Sequence, residues 1–582
     1  MKPWRVTGIL LLLTCLTLVA VPPLRRVLLI VAGSQNALQA RQSVYEAIAL
    51  QTPDDPQIWL GYAGIAQHFE WLRALSREWK GTPVDVRASA YCWPPAKTTP
   101  RQAYLRAIEL APSSPAPRFR YALYLLSSSG DMNRPDEYPG LPQPEPLPVR
   151  TAEESANLEA ARDVLVTCRT LASDNAACDY LLAYVYFAQR MDAEARAAAR
   201  TGAGKPNWSA YQREATLASW QVFDRLSTAA LARAGIAVGT DLSRMGHTRS
   251  VARMLSSLGN DYRARGQHSE AIACYEAIFR LGRLMRVNAY TLIDGLVAIA
   301  VTKIAAPTSL IPAADLKAAR AITDADARVK RQDELRTNAF VTYLRQHGRP
   351  DLADFYQRDS AEATLWYQRC KIATKRDTAA LYDTYFGPGI AVSFAVWVQT
   401  ALFAVLTLII GLAALTTRCW RRPIAGFQPT YHGWLALLLI LVVPGVLFGL
   451  LFALSRLPIQ HYWEKAACVI PLASVLGLAA WLIGVGHISR RRRATLPADG
   501  RPGKAQGFFA SLRSLVPPTL SALLLLSAIG LWSLAGAEGR FNTMSRSIAE
   551  QGEVRYWGVD GEPANDAQTG HQGSAQLPDR KP

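Results

Sequence analysis

Eight histidines and eight cysteines are the residues of this 582-residue chain best suited to metal or nucleophilic chemistry, and their spacing points away from both. The histidines are scattered at His68, His247, His268, His347, His432, His461, His487 and His571, with no two placed to share a metal on one helical turn. No Cys-x-x-Cys pair occurs, nor a Gly-x-Ser-x-Gly elbow, a phosphate-binding Gly-x-x-x-x-Gly-Lys-[Ser/Thr] loop, a His-Glu-x-x-His pair or a dinucleotide-binding Gly-x-Gly-x-x-Gly. The expectation is no catalytic residue, no metal and no cofactor. One grouping stands apart: Arg456, Gln460, His461, Tyr462, Trp463, Glu464 and Lys465. His461 beside Glu464 has the composition of an acid–base pair, and the whole stretch equally that of an interfacial belt, where Tyr and Trp gather at a bilayer surface. The belt is the plainer reading.

Cys92, Cys168, Cys178, Cys274 and Cys370 fall in one long polar block, and an odd number cannot all pair within the chain. Cys168 and Cys178 lie on consecutive predicted helices. An oxidising compartment permits a bridge between them; ordinary buried thiols are the plainer expectation.

Hydrophobic residues make up half the chain but are unevenly placed. Five uncharged runs, Gly8–Leu24, Ile390–Leu415, Trp434–Leu454, Ala466–Val485 and Val516–Ala535, are each long enough to cross a hydrocarbon core of about 30 Å. The net charge of +18 suggests nucleic-acid binding until its distribution is considered. The block between Ala37 and Pro388 holds 43 basic and 37 acidic residues, an ordinary balance. Much of the excess sits in short connectors: Arg418, Arg421 and Arg422, then Arg490 to Arg493 with Arg501, Lys504 and Arg513. Such loops stay cytoplasmic. Lys2 and Arg5 place the amino terminus inside, the first span leads out, and the block and the tail after the fifth span are external. Arg25 and Arg26 dissent and are outvoted by the later loops. The first span reads as an uncleaved anchor rather than a signal peptide, since Pro22-Pro23 breaks it and no Ala-x-Ala site follows. No predicted span carries a charge at its centre, which argues against a pump or proton-coupled transporter.

Within the block, apolar residues recur at helical spacing and prolines or polar turns interrupt them. Ala40, Val44 and Ala47 precede Pro53 and Pro56; Trp59, Tyr62, Ala63 and Ala66 follow. Tyr104, Ala107, Ile108 and Leu110 end at Pro112, before Tyr121, Ala122 and Leu125. Ala161, Leu165 and Cys168 lead through a turn near Ser173 to Leu182, Ala183 and Tyr186. Leu258, Gly259 and Tyr262 lead through Gly266 to Ala271, Tyr275 and Ile278. Each copy sets a bulky residue beside a small one with another bulky residue three later, and a second small residue about twelve on: Ala195 after Ala183, Ala271 after Gly259. This pattern resembles the tetratricopeptide repeat, a helix–turn–helix unit of 34 residues. The match is good at 258–278, weaker elsewhere and unevenly spaced, so the expected fold class is all-α, a degenerate and interrupted helical-repeat (TPR-like) array. The expected organisation is an N-terminal membrane anchor at 1–36, an extracytoplasmic repeat domain at 37–385, four transmembrane helices at 386–537 and a disordered extracytoplasmic tail at 538–582, with a small contact at Tyr556-Trp557. Asn133 to Val149, rich in proline, is an extended inserted connector.

The resemblance implies that the first helix of each unit lines a concave groove. Aligning Ala63, Ala122, Ala183 and Gly259 puts Gln57, Arg120, Tyr180, Tyr184, Arg253, Asn260 and Arg263 on that face. Arg253 and Asn260, seven apart, share a side, and arginine with asparagine there is similar to family members that clamp a peptide carboxylate. The implied function is a scaffold in the cytoplasmic membrane, whose external repeats bind a partner protein in cell-envelope assembly or export and whose spans contact another membrane protein, with no nucleic acid involved. The alternative is a subunit or enzyme of envelope polysaccharide or lipid-linked polymer synthesis. A transmembrane sensor fits less well, because the internal loops are too short to hold an output domain.

Overall fold

The computed structural model describes residues 42–78, 96–127, 151–226, 242–385, 462–497 and 501–561. Among them every regular element is helical, apart from one isolated bridge between Asn175 and Asn207. The all-α expectation holds for these residues. The chain divides into two compact units, one formed by Met1–Gln35 with Ala379–Asn542, the other by Asn36–Thr378 with Thr543–Pro582.

The second unit is the helical block. It begins with α1 (Gln42–Gln51) and α2 (Pro56–Glu78). The break falls at the two prolines, and Asp55 accepts from the backbone N–H groups of Gln57 and Ile58 to start α2. The helices α3 (Pro100–Leu110) and α4 (Pro115–Leu126) are separated at Pro112, with a capping box at Thr99 and Gln102. Helix α5 (Ala152–Leu171), opened by a second box at Thr151 and Glu154, turns near Ser173 into α6 (Ala176–Ala188). A hairpin with α7 (Asp192–Ala203) follows, then α8 (Gln212–Leu226).

The next hairpin, α9 (Leu242–Ala264) and α10 (His268–Val287), packs on the previous one, α9 against α6 and α10 against α7. Tyr180 of α6 donates its hydroxyl to Ala277 O at 2.7 Å, and Arg196 of α7 pairs with Glu270. Helix α8, which comes between them in sequence, leaves this stack and packs instead against α1 and α2. The chain continues through α11 (Leu292–Ile304), a 3-10 turn at Thr308–Leu310, α12 (Ala313–Arg320), α13 (Ala325–Gln346) and α14 (Pro350–Tyr385). The segment Leu292–Leu310 is long and apolar enough to cross a membrane, with a mean hydropathy of 1.4, yet half of its apolar window is buried. Ala298, Val301 and Ala305 of this segment lie in the core of the block, while Ile293 and Leu296 are exposed.

The predicted close approach at Gly259 is present. A Cβ added there would lie 2.6 Å from Cε1 of the fully buried Tyr275 ring. Overpacking of this kind costs about 1–3 kcal/mol. Gly259→Leu should therefore lower the melting temperature measurably; an unchanged melting temperature would mean that this contact has slack.

The other unit holds α15 (Tyr462–Ala494, 33 residues) and most of α16 (Lys504–Gln551, 48 residues). The apolar runs Ala466–Val485 and Val516–Ala535 lie inside these two helices; the other three runs, and the proline-rich connector, lie outside the described residues. Trp481, Val485 and Ile488 of α15 form one apolar cluster with Leu512, Leu515 and Val516 of α16.

The tail departs from expectation. Residues 538–551 complete α16, and Glu553–Tyr556 form a short α17. From Thr543 the tail belongs to the helical block. The expected disorder is wrong for residues 538–561, because Val554, Tyr556 and Val559 find a buried apolar seat. Residues 562–582 lie outside the described residues.

Candidate functional site

The seven residues expected to line a groove do not form one. Tyr180 and Tyr184 are fully buried, and Arg120 and Arg253 are 4% and 8% exposed. The physical reason is the stacking of the hairpins: α9 and α10 cover the face of α6 that the repeat alignment leaves open. Tyr184 meets the His247 ring edge-on at 4.5 Å, and His247 Nε2 lies 3.1 Å from Leu126 O. These four side chains pack the core. Asn260 and Arg263 are only half-buried. Tyr275 donates its hydroxyl to Asn260 Oδ1 at 2.9 Å, and Arg263 donates to the Ser309 hydroxyl at 2.7 Å. Gln57, named with them, is an exposed residue in the first turn of α2.

Beside that pair lies a group the sequence separates by 79 positions. The rings of His268 and His347 stack with centroids 3.8 Å apart, and His268 Nδ1 lies 3.1 Å from the Tyr343 hydroxyl. Desolvation and then the facing His268 push the His347 pKa below its ordinary value. Parallel stacking sets the rings face to face rather than aiming two nitrogens at one point. Among the described residues no three His, Cys, Asp or Glu side chains gather as a metal site. Arg456, Gln460 and His461 lie outside the described residues, and Glu464 falls in the first turn of α15.

The best-built recognition in the helical block is its grip on residues 543–561. Arg213 Nε donates to Glu550 O at 2.6 Å and the Tyr290 hydroxyl to Ala549 O at 2.6 Å. Both carbonyls belong to the last turn of α16, where acceptors lack helical partners and a cation is favoured. Gly552 ends the helix with φ +89°, a left-handed conformation that L side chains avoid, and a Cβ there would sit 2.8 Å from Tyr290 O. The chain then turns so that the Glu553 carboxylate accepts from Leu292 N–H at 2.9 Å, at the start of α11. Val554 and Val559 close an apolar cluster with Leu292, Trp366, Cys370 and Ala373. Arg369 donates to Val559 O at 3.4 Å. The tail is thus read through backbone carbonyls, one carboxylate and two valines.

Next to this seat is a cavity of about 190 Å³, lined among others by Trp208, Gln212, Arg213, Met285, Asn288 and Tyr290. It is smaller than the usual range of about 300–1,000 Å³ for small-molecule and cofactor sites, and suits a side chain better. Gln212 is 6% exposed and its side-chain oxygen has no hydrogen-bond partner among the described residues. Nothing in the sequence singled out Arg213, Tyr290 or Glu553. Their role depends on partners 259 to 337 positions away.

Comparison of the chain with protein-family models, with curated proteins and with solved structures gives no match.

Proposed function

We propose that this chain is a multi-pass membrane scaffold. Its helical block and docked tail stand outside the cytoplasm and bind a partner protein in cell-envelope assembly or export. The observation that carries the reading is the docked tail. Residues 543–561 sit on the block formed by Asn36–Thr378, so both lie on the same side of any membrane. The intervening chain must then cross an even number of times, which the four apolar runs between Ile390 and Ala535 satisfy. Two supports are independent of it. Helices α15 and α16, at about 1.5 Å per residue, exceed the thickness of a bilayer core, and Ile483 on α15 is 73% exposed. The packing of α6 against α9 and of α7 against α10 supports reading the two hairpins as neighbouring repeat units, the basis for a protein partner.

The partner face is not the groove of the repeat alignment, whose residues are mostly buried. Helix α14 offers another. Leu365 and Ile372 are 61% and 53% exposed and lie seven residues apart, on one side of the helix. They flank Trp366 and Cys370, which hold the tail. Leu365→Glu with Ile372→Glu should remove the partners that crosslinking in intact membranes captures on the wild-type chain, by at least about tenfold, with circular dichroism unchanged. A folded double variant that captures the same partners in the same amounts excludes this face.

A further inference from the structure

We infer that Cys168 and Cys178 are a disulfide-forming pair that staples α5 to α6. In the structure both are thiols, fully buried, with their sulfurs 3.3 Å apart. The two stand on either side of a turn whose chain direction is already determined. Ala172 N–H bonds back to Cys168 O, Asn175 caps α6, and the Asn175 amide ties that cap to Ser209 and Tyr211. The sulfurs are therefore brought together by the backbone and not by chance rotation of long side chains. Closing the remaining gap to a bond of about 2.05 Å needs small side-chain adjustments.

The surroundings say when the bond can form. The hydrogen bond that Cys178 donates to the Cys168 sulfur, and then burial, push the Cys178 thiol far above its ordinary pKa, and the Asp179 carboxylate pushes in the same direction, so the folded chain holds almost no Cys178 thiolate. Asp179 is itself buried, with Lys205 Nζ at 2.5 Å and Arg169 at 3.8 Å. Exchange needs a thiolate and access. The bridge therefore forms during folding or local opening, before α6 is covered. One cysteine thiolate attacks a donor disulfide, that of a protein oxidant or of oxidised glutathione. It forms a mixed disulfide and expels one donor thiol. The second cysteine thiolate attacks that mixed disulfide and expels the other. Two cysteine protons end on the two donor thiols, the pair is oxidised by two electrons and the donor is reduced by two. Once formed, the bond is as shielded from reductants as the thiols are from oxidants.

The pair's geometry stands by itself; its oxidation in the cell rests on the external placement proposed above. The test separates the two. The full-length chain is purified in detergent, unfolded under reducing conditions, refolded with oxidised glutathione or diamide present, then denatured and labelled with a maleimide before and after reduction, followed by peptide mapping. The expected result is a peptide pair linked through Cys168 and Cys178, protected from dithiothreitol until denaturant is added, and a newly labelled Cys178 in C168S. Two freely labelled thiols after both oxidants overturn the pairing. The same labelling on cells quenched with acid reports the compartment. A linked pair there agrees with the external placement. A chain reduced in cells but linked after purification keeps the pairing and contradicts the placement.

Discussion

Asp359→Ala should destabilise the helical block by about 3–5 kcal/mol, the usual cost of removing one partner of a buried ion pair. Asp359 and Arg286 are 2% and 3% exposed, and the guanidinium meets the carboxylate at 2.7 and 3.3 Å. Arg283 also reaches the same carboxylate at 3.5 Å, while the nearby Glu362 is largely solvated. The substitution leaves a buried guanidinium with only a weak, exposed partner. This pair joins α10 to α14, and α14 supplies Trp366 and Cys370 to the tail seat, so the loss should spread from packing to tail docking. Denaturant unfolding of the full chain in detergent measures it. The double variant Arg286→Met with Asp359→Leu should recover most of the loss, because the expensive state is the unpaired charge and not the absent pair. A single-variant effect below about 1 kcal/mol would mean that water reaches the site.

Val554→Asp should release the tail while the block stays folded. Val554 is 5% exposed and packs on Leu292, Trp366 and Cys370; a carboxylate there is unpaired and buried. A docked segment opens locally when its own contacts fail, with no need for global unfolding. Tryptic cleavage after Arg555 reads the opening, since the next residue's N–H is bound to Gly552 O in the docked state. Each tenfold rise in the open fraction corresponds to about 1.4 kcal/mol of lost docking, and a rise of at least about tenfold is expected with the block's melting temperature nearly unchanged. Equal cleavage rates for the two proteins would show that the tail is not held by this seat.

The helices were legible in the sequence because their ends are written locally. Pro53 and Pro56, Pro112, and the polar turn near Ser173 each interrupt an apolar period, and the helices break at those points. Gly259 was legible for the same reason, as a small residue in an otherwise bulky stripe facing Tyr275. The groove was not. Helix α6 is apolar almost all round and nearly every one of its residues is buried, so periodicity cannot say which face stays open. The departure of α8 to pack on α2, leaving α9–α10 to stack on α6–α7, is decided by long-range contacts with no local signature. Of the tail, only the contact at Tyr556-Trp557 was legible; the rest was missed for a related reason. Val554, Tyr556 and Val559 are too few and too close to show a period, and their seat is built from Leu292, Trp366 and Cys370, far away in sequence. His268 and His347 meet only because α10 and α13 are brought together by Tyr275, Phe340 and Tyr343.

The most direct test of the central claim, that block and tail share the outer side of a membrane, is a set of three fusions to a reporter active only outside the cytoplasm. They are placed after Tyr290 in the block, after Pro497 beyond the basic end of α15, and after Gly561 at the end of the docked tail. The account predicts activity at Tyr290 and Gly561 and silence at Pro497. Opposite results at Tyr290 and Gly561 would contradict it, and so would activity at Pro497 with silence at the other two.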